Sequence, residues 1–337
     1  MIGNAASRRN DKVVIATAIW GNGRFMAKRR FFCAGAYPAL QRTLFLSAFV
    51  PGAVNRIESV RLDVAGKAVN AARALQRLGG NPVLGGFSGG SSGRDIEALL
   101  QAEGLDCEGV LSVDAAVRIC QTILPKDGSP FTELVEEGPR LAAADWDALA
   151  QHCCACLRMA AGYGAVILAG TMPEHASMDF YPELMHAAQA PVILDTSGPA
   201  LHAALPARPD IVKIKADELR GSFQAGAGDD IVALAGRMLA GGAVSVGITQ
   251  GAHTAFLVTH EGAWAYKIPA VQAVSALGSG DCVNAGLAFG LAEVRPLVDA
   301  FAFGLACGTA NAEVAHPGGI DPDRVATLLP MVRRRAL

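Results

Sequence analysis

A short run near residue 280 combines glycines, a serine and a carboxylate. The run Gly278-Ser279-Gly280-Asp281 follows an extended segment, Trp264 to Val274, and precedes an Ala/Gly-rich stretch that favours a helix. Because glycines keep side chains away from the backbone, the N–H groups and the helix dipole could bind one anion. A nearby carboxylate could take a hydroxyl proton. The run therefore predicts phosphoryl transfer to an alcohol; the alternative is a turn with an acidic helix cap.

A second polar group stands at the start of an earlier helix. Gly66 and Lys67 lie just before a helix predicted over residues 69–78, and Asn70 falls in its first turn. These residues could hold a polar ligand. The alternative is a glycine turn with a solvated lysine and a capping asparagine.

From residue 165 onward, strands and helices alternate. Short apolar runs, such as 165–169 and 192–195, are separated by helical segments, which is typical of a parallel sheet covered on both faces. Ligands bind beyond the carboxyl ends of the strands in such sheets. We therefore expect Asp195, Lys213 and Thr249, near predicted strand ends, to lie near the site.

The remaining elements complete this α/β arrangement. Strands are predicted at 31–35, 43–49, 55–63, 82–86, 117–124, 165–169, 192–195, 211–214, 244–249 and 255–258. Helices are predicted at 69–78, 94–103, 146–160, 181–188, 231–239, 282–291, 298–312 and 322–329. The strand-rich segments at about 41–62 and 112–137, with turn signals at Pro51-Gly52 and Asp127-Gly128, predict a small β-sheet lid.

Composition excludes several classes of protein. The 337 residues are 51% hydrophobic with a formal net charge of -2, which suits a large core and argues against a nucleic-acid surface. No apolar run reaches the ~18 residues of a membrane span, and no signal-peptide cleavage pattern follows the apolar run 13–20. With eight cysteines and no secretory signal, we expect reduced thiols and a cytoplasmic location without membrane or nucleic-acid partners.

The cysteine-rich segment 152–156 has residue types that metals bind. Consecutive cysteines on a helix point in different directions, and no second ligand pair follows at zinc-finger spacing. We therefore expect a packed helix face there.

The two glycine-containing motifs together resemble those of one enzyme family. Residues 65–80 are similar to the Gly-Gly-Lys-Gly-x-Asn motif of the ribokinase-like (PfkB) sugar kinases, and residues 277–286 are similar to its Gly-Ala/Ser-Gly-Asp motif. The resemblance implies a ribokinase-like three-layer α/β/α fold, with a mostly parallel central sheet and a small β lid. It covers residues 31–337 and leaves 1–30 as an N-terminal extension.

Further segments resemble the branch that includes 1-phosphofructokinase and tagatose-6-phosphate kinase. They are Pro38-Ala39-Leu40, Pro51 to Arg56, Val117-Arg118-Ile119, Thr132 to Pro139 and Gly170 to Pro173. The resemblance implies an ATP- and Mg²⁺-dependent kinase that phosphorylates a hydroxymethyl of a phosphorylated ketohexose. A homodimer through the lid is a further expectation.

The resemblance also implies roles for the two motifs. Asp281 would be the general base, and Gly278, Ser279 and Gly280 would form the anion hole for the transferred phosphoryl. The residues that would hold sugar hydroxyls are Gly66, Lys67 and Asn70.

Roles on the lid and at the nucleotide follow in the same way. Arg56 and Arg118 would grip the phosphate of the sugar, since the guanidinium fork matches phosphate oxygens. Glu218 would help hold Mg²⁺ through water, since Mg²⁺ keeps much of its hydration shell. The nucleotide groove would be lined by Thr249, Gly251 and Asn311, and Lys215 could contact its phosphates.

Several positions depart from the family pattern. Gln41 stands where the family has a substrate-gripping aspartate, Ala65 and Ala68 replace glycines, and Lys215 replaces an asparagine. These changes keep two alternatives open. One is a kinase of an unphosphorylated sugar or nucleoside, and the other is a non-catalytic sugar-phosphate-binding protein.

Overall fold

The computed structural model describes residues 30–159, 162–173 and 175–337. Except for Arg30, the predicted N-terminal extension lies outside these residues. The strands are β1 Arg30–Ala34, β2 Ala39–Leu46, β3 Ser59–Ala65, β4 Asn81–Ser88, β5 Asp106–Ser112, β6 Ile119–Pro125, β7 Thr132–Val135, β8 Ala165–Ala169, β9 Val192–Asp195, β10 Ile211–Lys215, β11 Ser245–Gln250, β12 Thr254–Thr259, β13 Ala263–Lys267 and β14 Arg333–Ala336. The α-helices are α1 Lys67–Arg77, α2 Gly90–Ala102, α3 Ala143–Met159, α4 Phe180–Ala187, α5 Gly198–Ala204, α6 Ala216–Ser222, α7 Ile231–Gly241, α8 Ser279–Ala292, α9 Leu297–Ala312 and α10 Pro322–Leu328.

A ten-stranded sheet forms the main body, in the order β14-β13-β12-β11-β10-β9-β8-β1-β4-β5. Neighbouring strands from β11 to β5 are parallel, and those from β11 to β14 are antiparallel. The central strands are buried apolar runs, such as Ala-Val-Ile-Leu-Ala in β8, because helices cover the sheet. One group of contacting helices contains α1, α8, α9 and α10, and another runs from α3 to α7.

Four further strands form a separate small sheet in the order β3-β2-β6-β7. Strands β2 and β6 are parallel, and the two outer pairs are antiparallel. Gln41 pairs with Asp63 on one face, whereas Arg42 and Leu62 pair on the other. The first face carries mainly polar side chains, with Val135 as an exposed apolar one. The second exposes apolar side chains, namely Val60, Leu62 and Leu134.

Small residues let α8 and α9 approach closely. An added Cβ at Gly304 would lie 2.6 Å from the carbonyl oxygen of Val283, and one at Gly308 would lie 2.9 Å from that of Ser279. This contact brings the end of α9 beside the start of α8.

The predicted α/β class, with a mostly parallel sheet and a small second sheet, is confirmed. Most predicted strands and helices agree within a few residues, but Lys67 begins α1 instead of preceding it. The sequence prediction missed α5, α6, β5, β7 and β14 as separate elements. The two helices have only seven residues each, too few for a clear apolar period. The extended segment predicted over 264–274 forms a strand only as far as Lys267.

The cysteines of α3 pack into the core as expected. Cys153, Cys154 and Cys156 are buried. Burial raises the pKa of each of these thiols, so they stay neutral at ordinary pH. Within the described part of the chain, every helix is too short or too polar to cross a membrane.

Candidate active site

The start of α8 offers amide groups that the fold leaves free. Gly278 precedes the helix with φ 79°, in the left-handed region that favours glycine. The amide of Ser279 donates within the preceding turn, to the carbonyl oxygen of Ala276. Among the described residues, nothing accepts from the amides of Gly280 and Asp281. These two N–H groups and the helix dipole can therefore bind an anion.

The carboxylate of Asp281 lies in this first turn and is buried. Its Oδ2 accepts a hydrogen bond of 2.9 Å from Asn70, whereas Oδ1 accepts none from any described residue. Burial, then the charge of Asp195, raises the pKa of Asp281 to about 6, against the lowering effects of Lys213, Asn70 and Lys67. A carboxylate with one free oxygen and a raised pKa can act as a general base.

Arg73 fixes the orientation of Asn70. Its Nη1 donates to Asn70 Oδ1 at 3.2 Å and to the carbonyl oxygen of Val64 at 2.8 Å. The same guanidinium forms a bidentate pair with Glu103, at 2.6 and 2.7 Å. Because Arg73 occupies the amide oxygen, the NH₂ group of Asn70 is the end that faces Asp281.

Asp195 is fully buried at the end of β9 and joins three side chains. Lys67 contacts its Oδ1 at 2.6 Å, Asn284 donates to Oδ2 at 2.7 Å, and Lys213 forms an ion pair with the same Oδ2. Burial alone would raise the pKa of Asp195, but the charges of Lys213 and Lys67 outweigh it and lower the pKa. Asp195 is therefore a permanent negative charge beside Asp281.

Lys67 also lies 3.7 Å from Oε1 of Glu218. The other oxygen of Glu218 accepts from the backbone N–H of Lys215 at 3.1 Å. The predicted metal residue is thus half-buried and faces Lys67. Lys67 therefore lies between two carboxylates, which hold its ammonium at the start of α1.

The polar face of the small sheet contacts the main body. Gln41 donates to Oγ1 of Thr122 at 2.9 Å. Opposite Gln41, Asp63 Oδ1 lies 3.3 Å from Nε2 of His316, in the loop after α9. This contact places Gln41 on the face of the small sheet that is turned toward the body.

The structure separates the two arginines assigned to one phosphate. Arg118 stands just before β6, and its Nη2 donates to the carbonyl oxygen of Tyr37 at 3.3 Å. Arg56 is exposed in the loop between β2 and β3. Arg118 lies at the start of β2, near Leu40, and Arg56 lies beyond its other end, past Phe45. The five residues from Leu40 to Phe45 span about 17 Å along the strand. Within one chain Arg56 and Arg118 therefore lie well apart, and their shared role at one phosphate stays a prediction.

Three of the predicted nucleotide residues lie at strand ends of the large sheet. Lys215 is the last residue of β10 and is exposed, and Thr249 is the next-to-last residue of β11. Gly251 follows with φ 61°, and an added Cβ there would meet open space. These residues line the edge where ligands bind in parallel sheets.

Asn311 has a different position from the other predicted nucleotide residues. It is fully buried, and its Nδ2 donates to the carbonyl oxygen of Leu277 at 2.8 Å and to Oγ of Ser279 at 3.1 Å. Its Oδ1 accepts from the N–H of Gly318 at 2.9 Å. Because both ends of the amide are occupied, we expect Asn311 to position the 277–279 turn instead of touching a nucleotide.

A family model described as pfkB family carbohydrate kinase matches residues 40–323. The chain belongs to this family. It is 33% identical over 310 residues to a 1-phosphofructokinase of Rhodobacter capsulatus, covering 89% of this chain and 95% of that protein. It is 24% identical over 295 residues to a tagatose-6-phosphate kinase of Staphylococcus epidermidis, covering 85% of this chain and 93% of that one.

Solved structures of PfkB kinases share the fold. Phosphofructokinase-2 from Escherichia coli, in complex with potassium, superposes with a TM-score of 0.80 at 23% identity, covering 91% of this chain and 99% of that chain. The resemblance inferred from the sequence motifs is therefore confirmed, and the chain is a carbohydrate kinase by family.

Sequence reasoning missed part of this PfkB site. Asp195 and Lys213 were placed near the site by their strand ends, but without roles. The sequence analysis gave no role to Asp63 or His316, because these partners are 253 positions apart in the chain. It also gave none to Arg73, although Arg73 stands only three residues after Asn70.

Proposed function

We propose that this PfkB kinase transfers the γ-phosphoryl of ATP to a hydroxymethyl of a phosphorylated ketohexose, as a 1-phosphofructokinase does. The observation that carries the proposal is the free Oδ1 of Asp281 beside the unused amides of Gly280 and Asp281. A base and an anion site in one helical turn supply what phosphoryl transfer to an alcohol needs.

The reaction follows from this geometry. Oδ1 of Asp281 takes the proton of the acceptor hydroxyl as its oxygen forms a bond to the γ-phosphorus. The bond between that phosphorus and the β–γ bridging oxygen breaks, and ADP leaves. The free amides and the dipole of α8 stabilise the negative charge on the transferred group. Lys67, held by Asp195 and Glu218, is close enough for its charge to favour the ionised form of Asp281.

The nucleotide would lie along the strand ends that carry Lys215, Thr249 and Gly251. Glu218 suits Mg²⁺, which proteins commonly hold through one or two carboxylates together with substrate phosphates and water. Glu218 would then supply the protein's carboxylate, and the nucleotide phosphates and water would supply the other oxygens. Mg²⁺ would supply charge neutralisation at the phosphates.

The phosphate already on the sugar would be held by Arg118 at the base of the small sheet. One of its two terminal nitrogens, Nη1, has no acceptor among the described residues, and guanidinium binds phosphate in a bidentate manner. Gln41 on the polar face would hold a sugar hydroxyl, with Gly66 and Asn70 at the start of α1. Similarity to proteins named 1-phosphofructokinase and tagatose-6-phosphate kinase supports this class of acceptor.

The small sheet would act as a lid that excludes water during transfer. Its exposed apolar face supports the further proposal of a homodimer formed lid to lid. The cytoplasmic location expected from the sequence stays a prediction.

An acceptor screen coupled to ADP release tests the proposed function. The acceptors are fructose 1-phosphate, fructose 6-phosphate, tagatose 6-phosphate, free hexoses and nucleosides. We expect turnover with a phosphorylated ketohexose and background ADP release with the others. Preference for a free sugar or nucleoside would support a kinase of unphosphorylated acceptors. Sugar-phosphate binding without turnover would support a non-catalytic binding protein.

The same assay tests Asp281. We expect Asp281→Asn to lower kcat by roughly 10²–10⁴-fold, the usual contribution of a general base, while ATP affinity measured by calorimetry stays near that of the wild type. Asp147→Asn, on the exposed side of α3, is the matched control and should keep full activity. Near-normal turnover of Asp281→Asn would remove Asp281 from the mechanism.

A further inference from the structure

Lys213 is a charged side chain that the mechanism above leaves without a task. It lies in β10 with only 1% of its surface exposed, and its ammonium forms an ion pair with the buried carboxylate of Asp195. A lysine is almost never buried to this extent unless it is paired. Asp195 already has an ion pair with Lys67 and a hydrogen bond from Asn284. Pairing of this carboxylate alone therefore does not explain a second buried lysine.

The ammonium of Lys213 lies directly against the first turn of α8. A Cβ added at Gly280 would lie 2.9 Å from Nζ of Lys213. The backbone of Gly280 does not have a positive φ, so glycine is not required there by backbone conformation. The space is occupied by the lysine. Lys213 therefore stands behind the turn that carries both the free amides and Asp281.

The charges that face Asp281 come from three elements besides its own. Asp195 at the end of β9 disfavours the ionised carboxylate, while Lys213 of β10 and Lys67 of α1 favour it, and Asn70 of α1 donates a hydrogen bond. On α8 itself, the neighbouring thiol of Cys282 is neutral, because burial raises its pKa well above the ordinary value. Lys213 therefore offsets part of the effect that burial and the charge of Asp195 have on Asp281.

We propose that Lys213 is a positioning residue of the phosphoryl-transfer site, whose fixed positive charge behind Gly280 keeps Asp281 in its anionic form and favours the negative charge on the transferred phosphoryl. Lys213 acts through Asp281 and the α8 turn, since Gly280 separates it from the cleft. The inference rests on the proposed function for its role in turnover, but its effect on Asp281 is measurable without turnover.

Two variants separate this role from a packing role. Lys213→Met keeps the length of the side chain and removes the charge. In the double variant Lys213→Met/Asp195→Asn, the negative charge that opposes ionisation of Asp281 is removed as well. Infrared titration follows the protonated carboxyl band of Asp281, which is assigned by its loss in Asp281→Asn. The pH dependence of kcat for the same proteins is measured in parallel.

We expect the titration midpoint of Asp281 to lie near pH 6 in the wild type and to rise by roughly one to three pH units in Lys213→Met, the usual effect of losing a nearby opposite charge. The double variant should return toward the wild-type midpoint, and the acid limb of kcat should move with it. Lys267→Met, an exposed lysine of β13, is the matched control and should leave the midpoint unchanged.

An unchanged midpoint in Lys213→Met would overturn the proposal. So would a midpoint raised equally in the single and double variants, since a packing defect is not corrected by removing the opposite charge. If Lys213→Met alone does not fold, the double variant decides. A titration midpoint of Asp281 close to that of the wild type supports the proposal, and a midpoint well above it counts against the proposal. Absence of turnover with every acceptor would refute the proposed function, while the infrared titration would still report on Lys213.

Discussion

At the scale of single residues, Asp281 and Asp195 show how surroundings divide two neighbouring carboxylates between two tasks. Asp195 is bound by two lysines and an asparagine, and its pKa is lowered. Asp281 receives one hydrogen bond, and burial together with the charge of Asp195 raises its pKa to about 6. The first carboxylate is a permanent charge that orders lysines, and the second can exchange a proton near neutral pH.

The raised pKa of Asp281 leads to a prediction about the pH dependence of the wild type. Because the base must be ionised, kcat should be maximal above about pH 7 and fall as the pH drops through about 6. The phosphate of a sugar phosphate also titrates near pH 6. Asn70→Ala separates the two, because it removes a hydrogen bond that lowers the pKa of Asp281 and should move the acid limb to higher pH. An acid limb near pH 4, or one that Asn70→Ala leaves in place, would contradict this assignment.

The sequence predicted part of this site and could not predict the rest. The 278–281 run predicted a helix start with Asp281 in the first turn, and α8 begins there, because local glycines and the apolar stretch determine it. The partners of Asp281 and Asp195 could not be predicted. Asn70 is 211 positions from Asp281, and Lys67 is 128 from Asp195. Such pairs depend on how β9, α1 and α8 pack together, which no local pattern encodes.

At the scale of elements, the loop after α9 joins two helices of the site. Gly318 has φ +83°, and an added Cβ would lie 2.6 Å from the carbonyl oxygen of Asn70 and 2.7 Å from Cβ of Arg73. Its N–H donates to Asn311, which in turn holds the turn before α8. The loop therefore fixes the distance between the start of α1 and the start of α8.

A methyl group at Gly318 should disturb this junction. We expect Gly318→Ala to lower the free energy of unfolding by about 2–4 kcal/mol, because backbone strain adds to overpacking, and to lower kcat more than ATP affinity. Gly128 has φ +84° with no atom within 4 Å of an added Cβ. Gly128→Ala should therefore cost only about 1 kcal/mol from the backbone. Denaturant unfolding of the pair measures the difference, and equal losses would show that the contact with α1 is unimportant.

Strands and helices were predicted correctly where apolar and polar side chains alternate, or where apolar side chains follow one another over enough residues. The central strands and the longer helices were predicted for this reason. The strand β14 was missed because its residues, Arg333 to Ala336, are three arginines and an alanine at a sheet edge. Edge strands with charged side chains lack the apolar pattern of buried ones.

At the scale of the whole molecule, the small sheet divides into a polar and an apolar face. The polar face reaches the body through Asp63 and His316, and the opposite face leaves Val60, Leu62 and Leu134 between 43% and 51% exposed. The edge strands β3 and β7 also have unpaired backbone groups on their outer sides. The sequence predicted a strand-rich lid from the turn signals. Which face of the sheet each residue occupies could be assigned only from the register of strand pairing in the structure.

An apolar sheet face with open edges favours pairing with a second copy of itself, since an isologous contact buries the same patch twice. We expect the wild type to sediment as a dimer and Leu62→Glu/Leu134→Glu to sediment as a monomer, because the two exposed leucines lie on one face, at the ends of a row that also contains Arg42 and Gln121. Val294→Glu, at a residue 77% exposed after α8, adds a carboxylate outside the small sheet and should remain dimeric. A wild type that is monomeric at micromolar concentration, or a double variant that stays dimeric with unchanged thermal stability, would show that this face does not form the interface. If the monomer also shows a raised KM for the acceptor with ATP affinity unchanged, the lid requires its partner in order to close on the acceptor.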